Sequence, residues 1–158
     1  MKLYLAYGSN LNKKQMARRC PGAEAAGGII LPGYRLVFKG SKTGAYLTYI
    51  RDKKAVMPGG FWVINDLNEE SLDRYEGYPI FYRKEEGVFK YQGKDLGFLI
   101  YKMNEGRSYE MPSPSYVETC RQGYRDFGFD EKYLDEALEY TKEKIDEARR
   151  KAKSKKLS

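Results

Sequence analysis

A short polar segment, Tyr7-Gly8-Ser9-Asn10, follows directly on the apolar residues 3–6 near the start of the chain. The apolar residues predict a buried strand, and Gly8 allows the chain to turn sharply where that strand ends. Asn12, with Gln15 three positions later, is typical of a helix start. A strand, a glycine turn and a helix start direct several backbone N–H groups at one place, which can hold a carboxylate or a phosphate. The spacing alone is also compatible with a capped turn that binds nothing.

Glu76 is the carboxylate whose position favours a chemical role. Residues 69–76 are predicted to form a helix with Leu72 on its apolar side, and Glu76 lies four residues later, beside that stripe. It also lies in the last turn, where the helix dipole disfavours negative charge. Partial burial and the dipole both raise the pKa of a carboxyl group toward the value that a general base needs near neutral pH. The alternative is a structural role, in which Glu76 reaches solvent or pairs with Arg74 or Arg83.

The sequence contains no histidine. This excludes Ser–His–Asp and Cys–His nucleophiles and histidine-based zinc sites, so any acid–base chemistry must use Glu, Asp, Lys, Tyr or Cys. Cys20 and Cys120 are too few for a disulfide scaffold and too far apart for a CxxC motif. Two buried thiols are therefore favoured over a disulfide.

The length of 158 residues indicates one domain. The formal net charge is +7, but much of the excess lies in the last ten residues, and the rest of the chain is close to neutral. A solvated helix end explains such a cluster more often than a phosphate-binding tail does. We therefore expect a domain at residues 1–148, a basic tail at residues 149–158 and no nucleic-acid partner. The basic residues of this tail are Arg149, Arg150, Lys151, Lys153, Lys155 and Lys156.

The order of the remaining elements predicts an α+β fold, because strands come first and helices last. Six or seven strands are spaced mostly as a meander, with a turn at residues 40–44. The strands are predicted at residues 3–7, 28–31, 34–38, 45–50 and 57–64, in a hairpin of 81–85 with 88–91, and at 94–103. The helices are predicted at residues 13–19, 69–76, 116–127 and 131–151.

Three motifs, in this order along the chain, resemble those of the γ-glutamylcyclotransferase family. They are Tyr7-Gly8-Ser9-Asn10-Leu11 after the first strand, Leu72-Asp73-Arg74-Tyr75-Glu76-Gly77 in the middle, and Pro112-Ser113-Pro114-Ser115-Tyr116 before a helix. The resemblance covers residues 3 to about 138. It implies a mixed six- to seven-stranded β-barrel flanked by helices. The reaction that it implies cyclises a γ-glutamyl group to 5-oxoproline and releases the attached amino acid or amine.

The resemblance also implies roles for individual residues. Glu76 matches the general base of the family, and Tyr116 matches a tyrosine that contacts the substrate. Backbone amides at Gly8 and Ser9 are expected to hold either the substrate's carboxylate or the developing oxyanion. No metal, cofactor or protein nucleophile is implied, which agrees with the missing histidine. The segment that matches the binding loop for the γ-glutamyl group is Tyr4, Leu5, Ala6, Tyr7, Gly8, Ser9 and Asn10.

Two other functions remain compatible with the sequence. A binding module on the same fold would sense a small acidic metabolite without turnover, although an intact Glu76 argues against it. A nucleic-acid-binding protein would use the basic tail and bind in a salt-dependent manner, but only the tail supports this function.

The expected partner is a small-molecule γ-glutamyl compound, and the fifteen tyrosines are compatible with a homodimer interface. The chain starts with a predicted strand and contains no apolar run near the ~20 residues that span a membrane. We therefore expect no signal peptide, no membrane segment and a cytoplasmic location.

Overall fold

The computed structural model describes residues 1–41 and 44–157. Residues 42 and 43 of the predicted turn, and Ser158 of the predicted tail, lie outside this range. The strands in the described range are β1 (Lys2–Ala6), β2 (Glu24–Ser41), β3 (Gly44–Ile64), β4 (Tyr82–Tyr91), β5 (Lys94–Met103) and β6 (Ser108–Tyr109). The α-helices there are α1 (Lys13–Arg19), α2 (Asp66–Tyr75), α3 (Pro114–Phe127) and α4 (Lys132–Leu157), and a 3-10 turn spans Ser9–Leu11.

The described strands form one mixed sheet in the order β4-β5-β1-β3-β2-β6. β1 runs parallel to β5 and antiparallel to β3, and the other neighbours pair antiparallel. Hydrogen bonds also join strands that are not neighbours in this order: for example, Tyr82 Oη donates to the Leu47 carbonyl at 2.6 Å, and the Met103 N–H donates to Thr48 Oγ1 at 3.1 Å. The sheet is therefore curled into a half-barrel. The predicted fold class, α+β with a mixed β-barrel-like sheet and flanking helices, is confirmed.

Two long strands replace four predicted short ones. The predicted pieces 28–31 and 34–38 both belong to β2, whose register with β3 shifts between Pro32 and Tyr34. Gly33 lies at this shift with φ of +87°, which suits glycine. An extra residue of this kind bends a strand without ending it. The prediction of a break at Pro32-Gly33 was wrong for this reason.

The predicted hairpin of residues 81–85 with 88–91 was also wrong. Residues 82–91 form the single strand β4, which pairs with β5. The turn lies instead at Gln92-Gly93, with φ of +50° and +78°, the combination that a tight two-residue hairpin requires. Residue 87 lies in mid-strand and must be a glycine, because a Cβ there would lie 2.3 Å from the Phe98 ring. The glycine makes room for a core side chain and does not mark a turn.

The helices begin with side-chain caps. Asn65 caps α2 by accepting from the Asn68 N–H, and Ser113 caps α3 by accepting from the Tyr116 N–H. α4 continues to Leu157, beyond the predicted end near residue 151. The division into a domain at 1–148 and a tail at 149–158 stays a prediction. Over the described residues, no helix combines the length and the apolar character needed to cross a membrane.

Buried tyrosines connect the elements around the end of β1. Tyr7 Oη donates to the Tyr101 carbonyl of β5 at 2.6 Å. Tyr124 Oη, from α3, donates to the Tyr7 carbonyl at 2.8 Å. Each ring fills the core while its hydroxyl satisfies a backbone group, so the chain after β1 is held from two sides.

Both cysteines are free and buried, as the sequence predicted. Cys20 follows α1, and its thiol lies 3.6 Å from the Asn68 carbonyl. Cys120 lies on the inner face of α3 and is completely buried.

Candidate active site

The loop after β1 forms the base of a cavity in the described protein. β1 lies inside the sheet, between β3 and β5, and the 3-10 turn Ser9–Leu11 starts directly after Gly8, with the Leu11 N–H donating to the Gly8 carbonyl at 3.1 Å. Asn12 caps α1 by accepting from the Gln15 N–H, as predicted. The first N–H groups of a helical turn have no partner within it, and no side chain caps this 3-10 turn. They are therefore placed to bind a ligand.

Gly8 itself faces the cavity. Its φ of −126° and ψ of −130° lie outside the left-handed region. A Cβ atom would lie 3.4 Å from both Leu47 Cδ1 and Tyr116 Oη. A larger side chain would therefore fill the space between the loop and Tyr116.

Asn10 connects the loop to two charged groups of the cavity, Arg19 and Glu76. Its Oδ1 accepts from Arg19 Nη1 at 2.9 Å and from Gln15 Nε2 at 3.2 Å. Its Nδ2 donates to Tyr4 Oη at 2.9 Å and to Glu76 Oε1 at 3.2 Å. A side-chain amide has two donor hydrogens and two acceptor lone pairs, so these four contacts use all of them. The orientation of the Asn10 amide is thereby fixed.

Glu76 directly follows α2 and lines the cavity. The residue is half-buried: the open cavity leaves a path to its carboxyl group, which is otherwise enclosed by protein. Burial raises the pKa of this carboxyl group to about 7, although the Arg19 charge and the hydrogen bond from Asn10 both lower it. In the free protein it is therefore close to half ionised at neutral pH.

The ion pair of Glu76 with Arg74 or Arg83, one form of the structural alternative, is not present among the described residues. Arg83 lies 3.8 Å from Glu85 and 3.5 Å from Glu105 instead. Arg74 also lines the cavity and is exposed, but the described residues show no ion pair between it and Glu76. The carboxylate therefore has only the Asn10 amide as its hydrogen-bond partner among them.

Tyr116 lies near the start of α3 and forms part of the cavity wall. Its hydroxyl accepts from the Leu47 N–H of β3 at 3.0 Å. Its ring packs edge-on against Tyr46 and Phe38, with centroid distances of 5.1 and 6.5 Å. Tyr116 therefore connects α3 to the start of β3 beside the loop that follows β1.

The cavity has a volume of about 380 Å³, within the range of small-molecule sites. Leu5 and Ala6 do not line it: both are almost completely buried on β1, where they pair with Phe61 and Gly60 of β3. Their predicted contact with substrate stays a prediction, and in the structure they position the loop. The predicted site residues that line the cavity are Tyr4, Tyr7, Gly8, Ser9, Asn10, Glu76 and Tyr116.

Arg19 and Tyr82 also line the cavity, and the sequence reasoning missed them. A usable signal existed for Arg19: it lies four residues after Gln15 on α1, so both side chains share one helix face, and both reach Asn10. Tyr82 gave no such signal, because its place depends on the curl of the sheet that brings β4 to Leu47.

Comparison with known proteins finds similarity to one protein family. The family model described as "Gamma-glutamyl cyclotransferase, AIG2-like" matches residues 4–119. A curated protein from Bos taurus, "Gamma-glutamylcyclotransferase", is 30% identical over 140 residues, which is 83% of this chain and 74% of the bovine protein.

Solved structures show the same relationship. A structure titled "Gamma-glutamyl cyclotransferase" is 28% identical, with a TM-score of 0.72 and coverage of 86% of this chain and 85% of that chain. A yeast cyclotransferase described as specific to glutathione shares the fold at 12% identity, with a TM-score of 0.53 and coverage of 90% and 96% of the two chains. This chain therefore belongs to the γ-glutamyl cyclotransferase, AIG2-like family.

Proposed function

We propose that this protein cyclises a γ-glutamyl group to 5-oxoproline and releases the attached amino acid or amine, with Glu76 as the general base. One observation carries the proposal. The carboxyl group of Glu76 lies in a cavity of substrate size, beside the loop Tyr7-Gly8-Ser9-Asn10, with no ion-pair partner among the described residues. A pKa of about 7 lets this group accept a proton near neutral pH.

The reaction that follows is balanced without water or a protein nucleophile. Glu76 removes a proton from the α-ammonium group of the substrate, and the nitrogen lone pair then attacks the γ-carbonyl carbon. A new C–N bond closes the five-membered ring, and the carbonyl oxygen becomes negatively charged. The carbonyl then re-forms and the original C–N bond breaks as the departing nitrogen takes the proton from Glu76. The ring nitrogen loses its second proton, which ends on the released amine as an ammonium group. Both reacting groups belong to one molecule, so holding it in a folded conformation removes much of the entropic barrier.

The loop amides support this chemistry in one of two ways. The N–H groups of Gly8 and Ser9 can hold the substrate's α-carboxylate, or they can stabilise the negative charge on the γ-carbonyl oxygen. Tyr116 forms the wall opposite Gly8 and limits the space in which the γ-glutamyl chain can extend. The same proposal includes γ-glutamyl amino acids, peptides and amines as the substrate class. A cytoplasmic location and a homodimer stay predictions.

The test is release of 5-oxoproline from a panel of γ-glutamyl amino acids, glutathione and γ-glutamyl amines. We expect wild type to form product from at least one compound and the Glu76→Gln variant to lose about 10²–10⁴-fold in kcat. Equal activity in the two proteins would refute the role of Glu76. If wild type forms no product but γ-glutamyl compounds still raise its melting temperature, the protein is a binding module and the proposed enzyme activity is wrong.

A further inference from the structure

Arg19 is a second charged group in the cavity, and the mechanism proposed above gives it no role. The residue is half-buried, and its guanidinium Cζ lies 4.3 Å from the centroid of the Tyr75 ring. One of its N–H groups donates to Asn10 Oδ1. Within residues 1–41 and 44–157, no carboxylate forms an ion pair with it. A guanidinium has five N–H donors in a planar fork, so most of them are available to a ligand in the cavity.

The distance between Arg19 and Glu76 is set by a single side-chain amide. Arg19 Nη1 donates to Asn10 Oδ1 at 2.9 Å, and Asn10 Nδ2 donates to Glu76 Oε1 at 3.2 Å. The cation and the anion are thus held one amide apart instead of in direct contact. An α-amino acid group carries an ammonium and a carboxylate on the same carbon atom. Its two charges are therefore opposite in sign to those of Glu76 and Arg19, and it can replace the single amide as a bridge between them.

We infer that Arg19 binds the α-carboxylate of the γ-glutamyl group while Glu76 holds the α-ammonium. This assignment rests on the proposed function, and it resolves the alternative left open there: the Gly8 and Ser9 amides face the γ-carbonyl oxygen. The carboxylate of a leaving amino acid is a poorer candidate, because the whole γ-glutamyl chain separates it from the α-ammonium. Substrates therefore require a free α-amino acid group, whatever their leaving group.

The test compares two substrates and their α-carboxamide forms. The substrates are a γ-glutamyl amino acid and a γ-glutamyl alkylamine, and kcat/KM is measured for all four compounds. We expect wild type to prefer the α-carboxylate forms by about 10- to 100-fold, the range of a charge-assisted hydrogen bond. Arg19→Gln should lose this preference equally for both leaving groups. A loss confined to the substrate whose leaving group has a carboxylate would overturn the assignment, as would an unchanged preference.

Two further variants separate binding from structural damage. Arg18→Gln removes an exposed charge from the same helix and should behave as wild type. Arg19→Lys keeps the charge but not the planar fork, so it should retain part of the preference. If Arg18→Gln also lost the preference, general electrostatics and not a specific contact would explain it, and the assignment would be wrong.

A binding measurement makes the inference independent of turnover. Calorimetry compares 5-oxoproline, which has the same carboxylate, with its carboxamide. We expect wild type to bind the acid more tightly than the amide and Arg19→Gln to bind both equally weakly. This result in a protein that cyclises no compound would refute the proposed function but support the role of Arg19. Equal binding of the acid to wild type and Arg19→Gln, or no binding to either, would overturn that role even if wild type is an active enzyme.

Discussion

Carboxylates within α2 and directly after it lie in opposite environments. Within the helix, Lys84 Nζ lies 2.8 Å from Glu69 and 3.0 Å from Asp73, and Lys2 Nζ lies 2.6 Å from Glu69. Hydrogen bonds from these lysines lower the pKa of the Glu69 carboxyl group. After the last turn, Glu76 has no ion-pair partner among the described residues, and burial raises its pKa. An ion-paired carboxylate on α2 and, directly after it, a half-buried one without an ion-pair partner in the described part of the chain are therefore only seven residues apart in the sequence.

This difference has opposite consequences for stability. The pKa of Glu69 is lower in the folded protein, so its contribution to stability is present above its ordinary pKa and is lost as pH falls through the folded value. The folded pKa of Glu76 is raised to about 7, so its ionisation reduces stability as pH rises from its ordinary pKa to that value. Charge at Glu69 stabilises the fold, whereas charge at Glu76 costs stability. The same raised pKa is what the proposed role of Glu76 as general base requires.

The largest expected effect separates Glu76→Gln from Glu69→Gln. Glu76→Gln should reduce kcat by about 10²–10⁴-fold and leave the melting temperature equal or slightly higher at pH 8, because it removes a buried charge. Glu69→Gln should leave kcat unchanged and reduce the free energy of unfolding by about 1 kcal/mol through its lost ion pairs. Steady-state kinetics and thermal unfolding on both variants test this.

The contrast would fail if both variants lost stability without a selective loss of kcat. Glu76 would then be a structural residue like Glu69, and the two carboxylates would not differ in function.

A smaller effect is expected when Lys84, the cation that pairs with Glu69 and Asp73, is removed. Lys84→Met leaves Asp73 and one oxygen of Glu69 without their ion-pair partner, and should reduce the free energy of unfolding by about 1–3 kcal/mol. kcat should stay at the wild-type value, because Lys84 does not line the cavity. Urea unfolding and 5-oxoproline release measure the two quantities. A large loss of kcat in a folded Lys84→Met protein would show that the ion-paired carboxylates of α2 are coupled to Glu76.

The smallest effect concerns pH. Because the base must be ionised, kcat/KM should fall as pH decreases, with a midpoint near the Glu76 pKa of about 7. The Arg19 charge lowers this pKa, so Arg19→Gln should move the midpoint upward. Glu69→Gln should leave it in place. A midpoint that does not respond to Arg19 would mean that a group other than Glu76 titrates.

The sequence predicted the parts of the site that depend on local pattern. The strand end before Gly8, the Asn12 cap and the helix carrying Glu76 follow from short-range spacing, and the structure has each of them. The raised pKa of Glu76 also followed from its place beside the apolar stripe of α2. These features are encoded within a few residues of each other.

Features that depend on the whole sheet were not predictable in the same way. Gly87 reads as a turn in the sequence, but it is in mid-strand because Phe98 of the neighbouring strand needs its space. Likewise, Tyr82 reaches the cavity because the sheet curls β4 toward Leu47. Arg19 is an intermediate case: its spacing from Gln15 was a usable local signal, but its contact with Asn10 depends on how α1 packs after the 3-10 turn.

The burial of the two thiols determines how fast the cysteines of this protein react with disulfides and electrophiles. Burial raises the pKa of Cys20 to about 11 and that of Cys120 to about 12. Since the thiolate is the species that attacks disulfides and electrophiles, both cysteines are almost entirely unreactive at neutral pH. A thiol-bearing compound or its disulfide can therefore enter the cavity without exchanging with either cysteine.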